Sequence, residues 1–321
     1  MDSEEQEMYK KLEEILAPYV VEGRTRVSEN SHKFVHYTSA QNALNIIRSQ
    51  ELWLRSPSCM NDYMEVSRGF DMFTKFLNHS ENGEKFQNIL NQIGENTWQS
   101  VVNGFRNWWE KSRLDTYLAS ISLHIAEESQ HGRLSMWRAY GGDTGKAALV
   151  FNNPPQIQNL RVILSPALYY SNEQLEAELH KIMNNIEDNI TYLKNLPEDI
   201  VWSSVVMTLI ILTVCLKHPG FKEEQEWRVI YFPEMDIEEK FLVDNVETIN
   251  GIPQIVYKLP FVNDEEMGIT GLSISEVLDS ILIGPTQYPQ VIYHAFSREL
   301  RDRGFNDSEA RISFSGIPLR T

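Results

Sequence analysis

The sequence predicts an α+β fold: a mixed sheet of short strands carrying large helical insertions. Three observations carry this. Short runs rich in β-branched and aromatic residues recur from Lys33 to the C-terminus. Stretches with helical apolar spacing lie between them without the regular alternation of a βαβ array. No internal repeat, low-complexity tract or Pro/Gly-rich linker divides the chain. At 321 residues, 42% of them hydrophobic, the chain is long enough to bury a sizeable core. The expected organisation is an N-terminal helical extension over 1–30 and one α+β domain over 31–321, with helical insertions at about 63–112 and 172–217.

The elements follow in order. Residues 4–18 have amphipathic helical spacing, and Lys33 to Tyr37 reads as a short strand. Ser39 is placed to cap a helix over 40–49, because its hydroxyl can accept from the free N–H groups of the first turn. Glu51 to Leu54 is a second strand, and 63–112 is an aromatic-rich helical region with a break expected near Asn82-Gly83. Thr116 to His124 reads as a strand, Leu134 to Tyr140 as one or two helical turns, and Gly141 to Gly145 as a turn. Lys146 to Phe151 and Val162 to Tyr170 are strands. An amphipathic helix over 172–194 and an apolar helix over 199–217 precede a strand over 227–232. Strands over 254–258, 279–283 and 311–314 and a helix over 288–303 complete the chain.

Composition narrows the function classes. A formal net charge of -16 favours solubility and disfavours broad affinity for nucleic-acid backbones or anionic lipid. Two cysteines, Cys59 and Cys215, form no pairing or metal-ligand pattern, so a reducing, cytoplasmic setting is expected. The first twenty residues are acidic and amphipathic, unlike a secretory signal. The apolar window Val201 to Leu216 is interrupted by Ser203, Ser204, Thr208 and Thr213 and is shorter than the roughly 20 residues that cross a bilayer, so a buried helix and no membrane partner are expected. No metal site is expected, since the eight histidines are scattered.

The chemistry is expected at Glu224 and Glu226, where the charged run Lys222 to Glu226 meets the strand-forming Trp227 to Phe232. In an extended chain these two carboxylates share a face. Paired acids can stabilise an oxocarbenium ion and activate a nucleophile; a solvated charged loop is the plainer alternative. His36, Tyr37 and Thr38 end a strand beside a helix N-terminus and offer hydrogen bonds to a ligand, or else His36 is a satisfied half-buried imidazole and Thr38 a capping residue. Ser120 and Ser122 put two hydroxyls on one strand face and read as supporting groups, because no G-x-S-x-G elbow is present. Trp137 and Tyr140 share a helix face as core or as a stacking platform. The following Gly141 to Lys146 run lacks the spacing of a phosphate-binding loop. Backbone donors after Gly284-Pro285 and the Arg320 guanidinium are weaker candidates for an anion, and both have plain structural readings.

In order along the chain, the blocks Phe34–Ser39, Leu52–Glu65, Ser120–Phe151, Lys217–Arg228, Ile281–Pro285 and Ser313–Arg320 resemble the bacterial domain-of-unknown-function family 2971. That resemblance implies no activity. The order of His on an early strand, Ser-x-Ser on a middle strand and Glu-x-Glu opening a later one also resembles ADP-ribosyltransferases. This second resemblance implies NAD as substrate. His36, Tyr37 and Thr38 would lie on its ribose side, Ser120 and Ser122 would buttress the pocket, and Tyr140 would stack on nicotinamide. Glu226 would stabilise the oxocarbenium ion, and Glu224 would face an acceptor macromolecule, protein or nucleic acid. A toxin or antiviral defence effector is one implied setting. A NAD glycohydrolase and a non-catalytic ligand-sensing or interaction module are the alternatives.

Overall fold

The computed structural model describes residues 3–59, 63–141, 145–153, 160, 162–235 and 241–318. Along the chain these form α1 (Ser3–Leu16), α2 (Pro18–Glu29), β1 (Lys33–Ser39), α3 (Ala40–Ser49), β2 (Glu51–Arg55), α4 (Tyr63–Asn78), α5 (Ser80–Leu90) and α6 (Thr97–Asn107). Then come β3 (Tyr117–His124), α7 (Leu134–Ala139), β4 (Lys146–Phe151), β5 (Val162–Pro166), α8 (Asn172–Asp188), α9 (Ile190–Lys194) and α10 (Glu198–Cys215). The chain closes with β6 (Glu226–Tyr231), β7 (Val243–Ile249), β8 (Ile252–Pro260), α11 (Ile274–Val277), β9 (Leu278–Ile283), α12 (Pro289–Asp302) and β10 (Ile312–Phe314). The protein is α+β. Asn61, Asp62, Gly142 to Thr144 and Arg320, each part of a motif read from the sequence, lie outside the described residues.

The chain divides into two compact units, each assembled from separate segments. One unit is helical and comprises 1–26, 57–116 and 165–222. Its centre is α10, whose Val201, Val205, Leu209, Leu212 and Val214 are buried. Helix α10 is long and apolar enough to cross a membrane by length and composition, yet α6, α4 and α1 pack around it. Its hydroxyls are satisfied within the helix: Thr208 Oγ1 donates to the Ser204 carbonyl and Thr213 Oγ1 to the Leu209 carbonyl. The break expected near Asn82-Gly83 falls at His79, between α4 and α5, and Gly83 follows it. Gly83 lies inside α5, where a Cβ would stand 2.2 Å from the Leu77 carbonyl oxygen, so its missing side chain permits a tight corner between α4 and α5.

The other unit, 27–56, 117–164 and 223–321, carries the sheet. Strand order is β10-β9-β4-β1-β3-β2-β8-β7, with β6 on β3 and β5 on β6. The pairs β1–β3, β1–β4, β2–β3, β2–β8, β3–β6, β4–β9 and β7–β8 are antiparallel, and β9 with β10 is parallel. Side chains alternate across the sheet. Phe34, Leu149, Ile121, Trp227 and Leu259 pack on one face with Ala43 and Ile47 of α3 and Phe296 and Leu300 of α12. Val35, Tyr37, Ala148, Val150 and Leu282 pack on the other with Met136 and Trp137 of α7.

Ser39 caps α3 as expected, its Oγ accepting from the Asn42 N–H at 3.1 Å. Strand β7 was not expected from the sequence. Its Asp and Glu residues interrupt the apolar pattern, but the Asn250-Gly251 turn that ends it is a strong hairpin signal. Both turn residues have positive φ, 52° and 80°, as a type I′ hairpin requires.

Candidate functional site

The site is built where the sheet forks. Ser122 pairs with Val35 of β1 and with Glu226 of β6, so those two strands flank β3 on opposite edges. Leu118 pairs with Arg55 of β2 and with Ile230 of β6, so β2 shares the β1 edge. Strands β1 and β2 thus take the two ends of one edge of β3 and leave Ala119 to Ile121 between them. In that gap the His36 ring takes the place of a ladder partner: its Nδ1 lies 3.0 Å from the Ser120 carbonyl oxygen. Assigned as the Nδ1–H tautomer, His36 donates there and keeps Nε2 as an acceptor. Burial lowers its pKa below the usual 6.5, partly offset by the hydrogen bond to Ser120.

Ser120 and Ser122 share a face of β3, as their ladder partners Arg228 and Glu226 share one of β6. Ser120 Oγ donates to Glu226 Oε1 at 2.6 Å, and Arg228 Nε donates to the same oxygen at 2.9 Å. Glu226 is 4% exposed and Arg228 fully buried. The charge of the carboxylate is therefore balanced within the fold, and one of its oxygens is held by two donors. His124 continues the same row of β3 beyond Ser122. Its Nδ1 is buried without a hydrogen-bond partner, and burial lowers its pKa.

Glu224 does not share the extended geometry of Glu226. It ends a 3₁₀ turn, Pro219–Glu224, and Gln225 has φ 44°, so the strand begins only at Glu226. The rule that places positions i and i+2 on one face applies within a strand, and here it joins Glu226 to Arg228 instead. The turn is clamped by Arg133. Its Nη1 donates to the Glu224 carbonyl at 2.6 Å and its Nη2 to the Leu123 carbonyl at 3.1 Å. The same guanidinium grips the Glu128 carboxylate through Nε and Nη2, both at 2.8 Å.

Around this centre the other expected residues separate. Tyr37 points to the face opposite His36. Its hydroxyl accepts from the Arg133 backbone N–H at 2.9 Å, its ring meets Trp137 edge-on at 4.8 Å, and burial pushes its pKa up to about 12. Thr38 is buried on the His36 face, where its Oγ1 accepts from Asn42 Nδ2 at 3.3 Å, so this hydroxyl serves the start of α3. Tyr140 caps the end of α7 and is 37% exposed, while Trp137 is core. The structure thus gathers Ser120, Ser122 and Glu226 on one face of the sheet, with Tyr37 on that face too, and sets His36 and Thr38 on the other, His36 reaching the group through the Ser120 carbonyl. It sets Glu224 in the preceding turn. Among the described residues no group of His, Cys, Asp and Glu is arranged to hold a metal.

Two residues central to this arrangement were not singled out from the sequence. Arg228 carried a usable signal, standing two positions after Glu226 in an unbroken strand. Arg133 carried none, since its four partners come from Glu128, Leu123, Glu224 and Tyr37.

Fold and site together define an α+β protein with a forked sheet and a buried carboxylate–guanidinium pair beside a serine hydroxyl. Residues 136–229 match the model of a family described as a protein of unknown function, DUF2971. The match takes in Tyr140, Glu224, Glu226 and Arg228. Neither a curated protein nor a solved structure matches the chain.

Proposed function

We propose that this protein is an ADP-ribosyltransferase-like enzyme that takes NAD as substrate, cleaves its nicotinamide–ribose bond and passes ADP-ribose to an acceptor macromolecule. The observation that carries the reading is the Ser120–Glu226–Arg228 network at the fork, with His36 bonded to the carbonyl of the same serine. An anionic oxygen fixed by two donors is pre-organised to meet positive charge developing at the ribose C1′ as the C–N bond breaks and nicotinamide leaves with the bonding pair. The acceptor oxygen or nitrogen then bonds to C1′ and releases its proton, with Glu224 as the carboxylate facing the acceptor. His36 Nε2 accepts from a ribose hydroxyl, Thr38 shapes the same end, Tyr37 stands on the Ser122 face, Ser122 lines the pocket and Tyr140 stacks on the nicotinamide. With water as acceptor the same steps make a NAD glycohydrolase. A toxin or defence effector is the setting such chemistry suits.

The test is incubation with labelled NAD, following nicotinamide release and transfer of label into cell lysate. Glu226→Gln keeps the shape and the Ser120 contact, and is expected to lower nicotinamide release by about 10²–10³-fold, the scale of losing one transition-state electrostatic contact. Release by the wild type without transfer selects the glycohydrolase. Absence of release by the wild type overturns the enzyme reading. A second reading is then favoured by the burial of Glu226 and Arg228 to 4% and 0% exposure: a structural ion pair in a non-catalytic sensing or interaction module.

A further inference from the structure

The hairpin β7–β8 ends the sheet, and among the described residues no strand pairs with the outer edge of β7. Strand edges of this length are normally blunted by lysine, proline or a bulge, because their free N–H and C=O groups recruit another strand. Strand β7, Val-Asp-Asn-Val-Glu-Thr-Ile, has no lysine or proline, its two charged residues are Asp244 and Glu247, the latter paired with Lys258 of β8, and its register with β8 is unbroken. It also exposes apolar side chains: Val246 is 73% exposed and Val243 60%, beside Ile252 and Ile255 of β8.

The hairpin turn determines which backbone groups are free. Asn250-Gly251 is a two-residue turn, so its flanking pair, Ile249 and Ile252, exchanges hydrogen bonds. By alternation, Ile249, Glu247, Asn245 and Val243 turn their N–H and C=O toward β8, and Thr248, Val246 and Asp244 turn theirs outward.

We propose that this edge is a dimer interface in which β7 pairs antiparallel with β7 of a second copy, on a twofold axis through Val246. In that register Val246 meets Val246 of the second copy, and Asp244 meets Thr248, so every outward-turned residue finds a ladder partner. Glu247 faces Asn245, so no like charges stand opposite each other. Val243 faces Ile249. The sequence is self-complementary about Val246, with apolar residues at the centre and three positions to either side. Other symmetric registers fail: an axis at Asp244 or Glu247 sets a carboxylate against its own copy, and one at Asn245 or Thr248 leaves an outward-turned residue without a partner. On one face of the joined sheet, Ile255, Val246 and their two counterparts form a continuous apolar row across four strands, since Val246 already pairs with Ile255 within each hairpin. An isologous contact of this kind closes at two subunits.

The experiment is sedimentation analysis of the full chain up to about 100 μM, a concentration that populates micromolar complexes. The wild type is expected as a dimer. Val246→Lys, an exposed position, is expected to weaken association at least tenfold while leaving the thermal unfolding midpoint measured at low concentration unchanged. Oxidised Val246→Cys is expected to give a disulfide-linked dimer, whereas Asp244→Cys alone is not, because position 244 faces 248. A monomer throughout the range, a dimer indifferent to Val246→Lys, or equal cross-linking from positions 244 and 246 each overturns the proposal. NAD turnover is not read in any arm, so the two proposals stand or fall separately.

Discussion

Removing the Arg228 side chain's charge tests how the site is held. Arg228→Met retains an unbranched side chain in a fully buried position but leaves Glu226, 4% exposed, without its cation. Breaking a buried pair by deleting one member costs about 3–5 kcal/mol, because the remaining charge has lost its water and its counter-charge together. The sheet unit has about 180 residues, and for that size each kcal/mol lowers Tm by about 2–4 °C. The expected loss is therefore about 6–20 °C, large enough to resolve by circular dichroism or by fluorescence of the neighbouring, buried Trp227. The double variant Glu226→Leu/Arg228→Met removes both charges and should recover most of that loss, since well-packed apolar replacements of buried pairs are neutral or stabilising. A shift below about 1 kcal/mol in Arg228→Met, or a double variant less stable than the single one, refutes the reasoning: the pair would then be hydrated rather than buried.

Two further outcomes follow from local geometry. Ser39→Ala removes the oxygen that accepts from Asn42 N–H at the start of α3, and should cost about 1 kcal/mol in urea denaturation with an unchanged m-value. For His36 the folded pKa lies below the unfolded 6.5. Above pH 6.5 both states are neutral and the folded state keeps its full stability. As pH falls through that value the unfolded chain takes up the proton first, so stability declines until the folded pKa is passed. His124 shifts in the same direction, so His36→Gln should remove part, and not all, of the decline between pH 7 and 5 in chemical denaturation.

Most elements were legible because their signals are local. The Ser39 cap and helix α3, the strand at Lys146 to Phe151 and the buried α10 follow from capping chemistry, β-branched runs and apolar length. The Ser-x-Ser face was also legible, since period 2 holds throughout an uninterrupted strand such as β3. The Glu-x-Glu geometry was not. Gln225 carries no sequence mark of its positive φ, which is uncommon outside glycine and asparagine, and that one residue turns Glu224 away from the extended pattern. The fork of the sheet was invisible for a different reason. Which strand ends share an edge of β3 is decided by pairings between segments far apart in sequence, and no local pattern encodes them.

The register of Arg55 with Leu118 fixes where the first helical segment joins the sheet. Residues 57–116 leave the sheet at the end of β2 and return at the start of β3, and the residues at those two points are neighbours in one ladder. Topologically, β2 and β3 are the arms of a hairpin whose long connection belongs to the helical unit. Because loop closure costs only about (3/2)RT ln n, lengthening a four-residue connection to about sixty adds roughly 2.4 kcal/mol, and the lengthened segment offsets that by burying its own apolar surface. The span from β5 to β6, adjacent strands as well, encloses the other large contribution to that core. Growth at these two points leaves the strand ladder uninterrupted, so the helical segments can change in length and sequence while Ser120, Glu226 and Arg228 keep their register.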